Sequence, residues 1–107
     1  MNVITNNNIK CTIALAALEN VIDPEIGLNV VDLGLICQLD FDEPEKKIYI
    51  TMTLTTQFCP MGESITSSVK RVLEKTFEGE TVLPEISFDP PWNYERISEE
   101  GKQFLNR

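Results

Sequence analysis

One segment of the chain reads Lys47-Ile-Tyr-Ile-Thr-Met-Thr-Leu-Thr55, and its apolar and polar side chains alternate strictly. A period of two is typical of a β-strand with one buried face and one wetter face. A second alternating run, residues 33–41, precedes it across a polar loop that contains Pro44. The two runs are therefore predicted to form antiparallel strands, with Cys37 and Ile48 on the buried face.

A helix and a third strand are predicted after this hairpin. Apolar residues repeat at helical spacing between Pro60, which suits a first helical position, and Gly79, which suits the residue beyond a last turn. Residues 82–88 then favour a strand. Because proline cannot donate to a ladder, Pro84 indicates that this strand lies at an edge of the sheet or begins near the proline.

The two ends of the chain are predicted to be a flexible arm and a short helix. Residues 1–8 are polar and form the arm, and residues 9–21 lack glycine and proline and favour a helix. Asp23 ends this helix because the residue before a proline is disfavoured in the helical region. Residues 98–105 favour a short final helix.

The predicted element order is helix, strand, strand, helix, strand, short helix. Helices on one face of a three-stranded sheet give an α+β, two-layer sandwich. Residues 9–107 are expected to form a single domain, because 107 residues leave no room for a second core. The other sheet face is expected to be partly open, and covering it with a second copy would give a homodimer.

The composition excludes several classes of function. The chain has 17 Asp and Glu against 9 Lys and Arg, a formal net charge of −8, which disfavours nucleic-acid and membrane-surface binding. It has no histidine, so the usual general base and imidazole metal ligands are missing and an enzyme is not expected. Without a secretory signal pattern at its start, the chain is expected to be cytoplasmic.

The three cysteines lack the spacing of a disulfide framework or a zinc site. Cys59 lies at the predicted strand-to-helix junction, where backbone N–H groups and the helix dipole stabilise a thiolate. It is therefore the candidate metal ligand, and the alternative is a small half-buried residue that fills the junction. Cys11 and Cys37 lie on apolar stripes and are expected to pack in the core.

Three acidic residues and a tryptophan stand beside prolines. Asp23, Glu25 and Asp89 most simply stabilise turns. If their loops meet at one end of the sheet, these carboxylates would lie near Cys59 as auxiliary metal ligands. Trp92 is expected to anchor the core or a hinge, and the alternative is a partner-binding contact.

Five short motifs follow one another along the chain. They are Asp23-Pro-Glu25, Asp32-Leu-Gly-Leu35, Met52-Thr-Leu-Thr55 with Cys59-Pro60, Asp89-Pro-Pro-Trp92 and Ser98-Glu-Glu100. In this order and spacing the chain resembles the MIP18-like (domain of unknown function 59) family of SufT-like and PaaD-like factors. The resemblance implies an iron–sulfur cluster assembly domain-like fold and a role in maturing iron–sulfur proteins. It also maps the family's functional cysteine onto Cys59 and its acidic loop residues onto Asp23, Glu25 and Asp89.

Two main hypotheses follow. The leading one is a non-catalytic factor that holds an iron–sulfur cluster, or iron, transiently through Cys59 and works with assembly proteins and recipient apoproteins. The alternative is a metal-free adaptor that docks its partners through the open sheet face and Trp92. A PaaD-like accessory role in phenylacetate degradation is disfavoured, because the cysteine-bearing extension of those members is missing after Leu105. A thiol enzyme is disfavoured because no histidine can serve as its base.

Overall fold

A four-stranded sheet forms the centre of the computed structural model, which describes residues 3–24, 26–55, 62–88 and 92–106. The strands are β1 (Ile4–Thr5), β2 (Ile36–Asp42), β3 (Lys47–Met52) and β4 (Thr81–Ile86), in that spatial order. The helices are α1 (Asn8–Leu18), α2 (Gly62–Thr76) and α3 (Glu99–Leu105), with a 3₁₀ turn at Tyr94–Arg96. β2 and β3 are antiparallel, whereas β1 and β4 each run parallel to their neighbour. The predicted α+β class is confirmed.

The sheet has one strand more than the three that the sequence predicts. The additional strand, β1, has only two residues, and they pair with Gln38 and Leu39 of β2. The side chain of Asn6 continues the pairing, because its amide donates to the Phe41 carbonyl at 3.0 Å and accepts from the Phe41 N–H at 2.9 Å. A strand this short has no periodicity of its own, so the predicted strand count and element order were wrong here.

A β-bulge changes which side chains of β2 are buried. Ile36 pairs with Met52 and Gln38 pairs with Thr51, so Cys37 is the extra residue. A bulge of this kind interrupts the alternation of faces. Ile36 is therefore buried at 3% exposure and Cys37 is only half-buried, the reverse of the prediction for both residues.

The alternation predicted for β3 is confirmed. Ile48, Ile50 and Met52 are fully buried, and Tyr49 on the opposite face is 42% exposed. The strand ends at Met52, and the N–H of the next residue, Thr53, donates to the Leu35 carbonyl at 2.8 Å. Thr53 is consequently buried, although the sequence places it on the wetter face.

The helices bury the apolar stripes that their spacing predicts, and α1 ends earlier than the predicted helix. Asn7 caps α1 by accepting the Lys10 N–H at 3.0 Å. The helix ends at Leu18, three residues before the predicted limit, and Ile22 is 50% exposed. In α2, the predicted stripe is buried at Ile65, Val69 and Leu73. The predicted start of α2 at Pro60 lies outside the described residues.

β4 is an edge strand, as Pro84 predicts. Two side chains of α2 hold the backbone of Val82 on this edge: Lys70 Nζ donates to its carbonyl at 3.2 Å, and Glu74 accepts its N–H at 3.2 Å. The two side chains also bind each other at 2.7 Å. Since Pro84 has no N–H to offer, this arrangement leaves few free donors on the edge of the sheet for another strand.

Candidate functional site

The C-terminal ends of the parallel strands β3 and β4 lie side by side at one end of the sheet. Met52 pairs with Ile86, and the Ser87 N–H donates to the Met52 carbonyl at 2.8 Å. The chain continues from these two ends toward residues 56–61 and 89–91. Those two segments contain Cys59 and Asp89, which, like Glu25, lie outside the residues that the structure describes. The strand ends that lead toward the two segments are therefore neighbours.

Segment 92–98 is fastened to segment 32–37 by side-chain hydrogen bonds. The Trp92 ring N–H donates to the Leu33 carbonyl at 2.6 Å, and Arg96 Nε donates to the Gly34 carbonyl at 2.8 Å. Ser98 binds Asp32 twice, with its hydroxyl to a carboxylate oxygen and its N–H to the carbonyl, both at 2.8 Å. These bonds join the Asp32 motif to the motifs at Trp92 and Ser98.

Gly34 permits this close approach of the two segments. Its φ of +74° lies in the left-handed region that disfavours other residues. A Cβ atom at this position would lie 2.3 Å from the Arg96 carbonyl oxygen. Both the conformation and the contact therefore require glycine, which gives a physical reason for the glycine of the Asp32-Leu-Gly-Leu35 motif.

Trp92 is half-buried and packs against the core, as expected of an anchor. Its ring N–H is held by the Leu33 carbonyl, a residue 59 positions away in the chain. The predicted anchoring role is confirmed, and a role in partner binding stays a prediction.

Asp23 is buried, with 1% of its surface exposed. It begins a tight turn in which its carbonyl accepts the Gly27 N–H at 2.7 Å, and its own N–H donates to Leu28 at 2.9 Å. Gly27 has a φ of +84°, which suits glycine in such a turn. The predicted turn is confirmed, whereas the auxiliary ligand role of Asp23 stays a prediction.

The two described cysteines differ in their surroundings. Cys11 is 6% exposed and packs in the core, as predicted, and its burial raises the pKa of the thiol. Cys37 does not pack inward, because it is the bulged residue of β2. Arg96 Nη2 donates to the Cys37 sulfur at 3.4 Å, so the guanidinium bridges Cys37 and Gly34. No local pattern indicates this role of Arg96, since its contacts are with residues 59 and 62 positions away.

Over the described ranges, no three side chains of the ligand types histidine, cysteine, aspartate and glutamate come together as a metal site. Cys59, Glu25 and Asp89 lie outside these ranges. In the same part of the chain, no helix has both the length and the apolar character needed to span a membrane.

Known proteins resemble this chain in sequence and in fold. The model of a family described as iron–sulfur cluster assembly protein matches residues 13–83, from α1 into β4. The chain belongs to this family. The resemblance inferred from the five motifs is thereby confirmed.

Two bacterial relatives carry names that describe a function. The Fe-S protein maturation auxiliary factor YitW of Bacillus subtilis is 39% identical over 88 residues, which cover 82% of this chain and 85% of YitW. The Fe-S protein maturation auxiliary factor SufT of Staphylococcus aureus is 39% identical over 82 residues, or 77% of this chain and 92% of SufT.

The fold is similar to that of a crystal structure of a domain of unknown function 59 from Bacillus anthracis. The TM-score is 0.82 at 39% identity, covering 87% of this chain and 88% of the other. The chain therefore has the expected family fold as well as the family sequence.

Proposed function

We propose that this protein is a maturation factor for iron–sulfur proteins that carries a cluster, or iron, transiently through Cys59. The family membership and the names of the relatives YitW and SufT support the maturation role. The word auxiliary in those names supports a binding and delivery role rather than catalysis. Its partners would be iron–sulfur assembly proteins and recipient apoproteins.

The observation that carries the proposal is that the C-terminal ends of β3 and β4 lie side by side at one end of the sheet. Because Ser87 and Met52 are hydrogen-bonded neighbours, the two strands that lead toward the segments containing Cys59 and Asp89 end next to each other. This supports, for Cys59 and Asp89, the convergence that the sequence suggests. Asp23 and Glu25 are further auxiliary candidates.

A single thiolate per chain suits a labile carrier. Iron–sulfur clusters take about four thiolate ligands, and one chain offers too few to retain a cluster. Two copies that each contribute Cys59, together with small thiols, would complete the set. Cargo held in this way exchanges readily with a recipient that supplies more cysteines.

The test is anaerobic reconstitution with ferrous iron and sulfide, followed by absorption and Mössbauer spectroscopy. Wild-type protein is expected to load a cluster and Cys59→Ala is expected to lose it. Cys37→Ser is the matched control, because Cys37 is half-buried whereas Cys11 packs in the core, and it should load normally. Equal loading of wild-type protein and Cys59→Ala would reject the carrier role.

A metal-free adaptor is the second candidate, and the open sheet face favours it. Tyr49 and Leu83 pair across β3 and β4 and are 42% and 39% exposed. Two adjacent, exposed apolar side chains suit a protein contact. If the protein is an adaptor, the Cys59→Ala variant still binds a recipient apoprotein, whereas the Tyr49→Ala and Leu83→Ala variants bind it more weakly.

A further inference from the structure

A surface groove of about 450 Å³ lies between α3 and the loop formed by residues 22–32. Its described lining includes no residue of the sheet strands and none that flanks segment 56–61. Ile22 lines it from the loop and Phe104 lines it from α3, with exposed fractions of 50% and 43%. Each wall thus presents one large apolar side chain to solvent.

The two walls of the groove are fixed to each other. Gly101 of α3 packs so closely that a Cβ atom there would lie 2.9 Å from Leu28 and 2.8 Å from Ile97. Ser98, which caps α3, binds the Asp32 carboxylate at 2.8 Å. The groove is therefore preformed, and a ligand would not have to order its walls on binding.

The charge of the groove is negative. Asp32 and Glu100 line it, and its described lining residues include no lysine or arginine. Asp32 is held by the neutral groups of Asn29 and Ser98, which satisfy its oxygens without neutralising its charge. Neither carboxylate forms an ion pair within the described residues. The groove therefore combines apolar side chains with uncompensated carboxylates.

We infer that this groove docks a short segment of a partner protein that combines apolar side chains with lysine or arginine. The apolar side chains would contact Ile22 and Phe104, and the cations would face Asp32 and Glu100. Charge complementarity selects this occupant over a second copy of the chain, whose net charge is also −8. The inference does not depend on the role of Cys59.

The test is a selection from a library of short random peptides displayed on phage, with the full chain as the immobilised target. Enriched peptides are expected to combine lysine or arginine with leucine, isoleucine or phenylalanine. A labelled synthetic copy of an enriched peptide is then titrated by fluorescence anisotropy, and its site is mapped by amide chemical shifts. The shifts should concentrate at residues 22–32 and in α3.

Matched variants distinguish docking in the groove from electrostatic attraction of the peptide to the whole protein. Ile22→Ala and Glu100→Lys should each weaken binding about tenfold. Ile13→Ala removes an equally exposed side chain from α1, and Glu78→Lys makes the same charge change beyond α2. These two controls should change affinity less than about twofold. Cys59→Ala should bind with unchanged affinity, whatever its effect on cluster loading.

Three results would overturn the inference. The first is a selection without enrichment of basic, apolar peptides. The second is a set of shifts centred on the sheet face around Tyr49. The third is an equal loss of affinity for Glu78→Lys and Glu100→Lys, which would indicate attraction to the overall charge of the protein.

Discussion

Two regions of this molecule are stabilised in different ways. The unit of β3, α2 and β4 is held by buried apolar side chains such as Ile50, Val69 and Leu73. The contact between segments 32–37 and 92–98 is held by hydrogen bonds to backbone groups and by one glycine in the left-handed region. Both regions contribute buried side chains to one core, and the second depends, in addition, on the close approach of two backbones.

This difference determines which substitutions each region tolerates. Loss of volume in a core leaves a cavity, and the free energy of unfolding falls with the size of that cavity. In a contact between backbones, even one added methyl group forces the chains apart. Segment 92–98 of the second region also follows directly, in sequence, the segment that contains Asp89.

The largest effect is expected for Gly34→Ala. The new Cβ atom would overlap the Arg96 carbonyl at 2.3 Å, and alanine disfavours a φ of +74°. We expect the free energy of unfolding to fall by about 3–5 kcal/mol, measured by chemical denaturation. Exchange of the Ser98 amide hydrogen should also accelerate, because its bond to Asp32 depends on the same contact.

Gly79→Ala is the control for this prediction. Gly79 has a similar φ of +85°, but nothing lies within 4 Å of the added Cβ atom. It should lose only about 1–2 kcal/mol, the conformational part of the effect. Equal losses for the two variants would show that the contact between the segments contributes nothing.

A somewhat smaller effect is expected for Leu73→Ala in α2. Leu73 is fully buried, and its truncation should lower the free energy of unfolding by about 2–4 kcal/mol. Under native conditions, exchange of the Ser98 amide by local opening should stay unchanged, because the cavity forms in the other region. Local opening of segment 92–98 in this variant would show that the two regions are one cooperative unit.

A third effect is expected for Ser98→Ala. The hydroxyl of Ser98 donates to Asp32 and accepts the Gly101 N–H at 3.0 Å. The variant therefore loses a hydrogen bond between the two segments and the cap of α3. The free energy of unfolding should fall by about 1–2 kcal/mol. Ser67→Ala, at an exposed position within α2, should change it by less than about 0.5 kcal/mol.

The contrast between the regions also explains what the sequence could predict. The buried faces of β3 and α2 follow from local periodicity, and Pro84 alone indicates an edge strand. No sequence pattern indicates the bulge at Cys37, because the alternation on its two sides is also what one continuous strand would show. The role of Arg96 depends on contacts with residues about 60 positions away, which periodicity does not report.

The candidate site was predictable to a similar degree. The turn at Asp23 and the anchoring of Trp92 follow from the chemistry of proline-flanked and aromatic residues, and both are confirmed. The role of Asp32 in joining two motifs did not follow, because its partner Ser98 is 66 residues away. Cys59, Glu25 and Asp89 lie outside the described residues, so their roles stay predictions.

The smallest effect is expected at the edge of the first region, where one polar contact supplements apolar packing. Hydrogen bonds from Lys70 and from the Val82 N–H hold the pKa of Glu74 below its ordinary value of 4.5. A carboxylate with a lowered folded-state pKa stabilises the protein above its ordinary value and loses that contribution as the pH falls through the lowered value. Wild-type protein should therefore lose stability relative to Glu74→Gln when the pH is lowered below about 4.5, as measured by thermal unfolding across pH. A difference between wild-type protein and Glu74→Gln that does not vary with pH would assign the role of Glu74 to packing, and the two regions would then differ less than their contacts indicate.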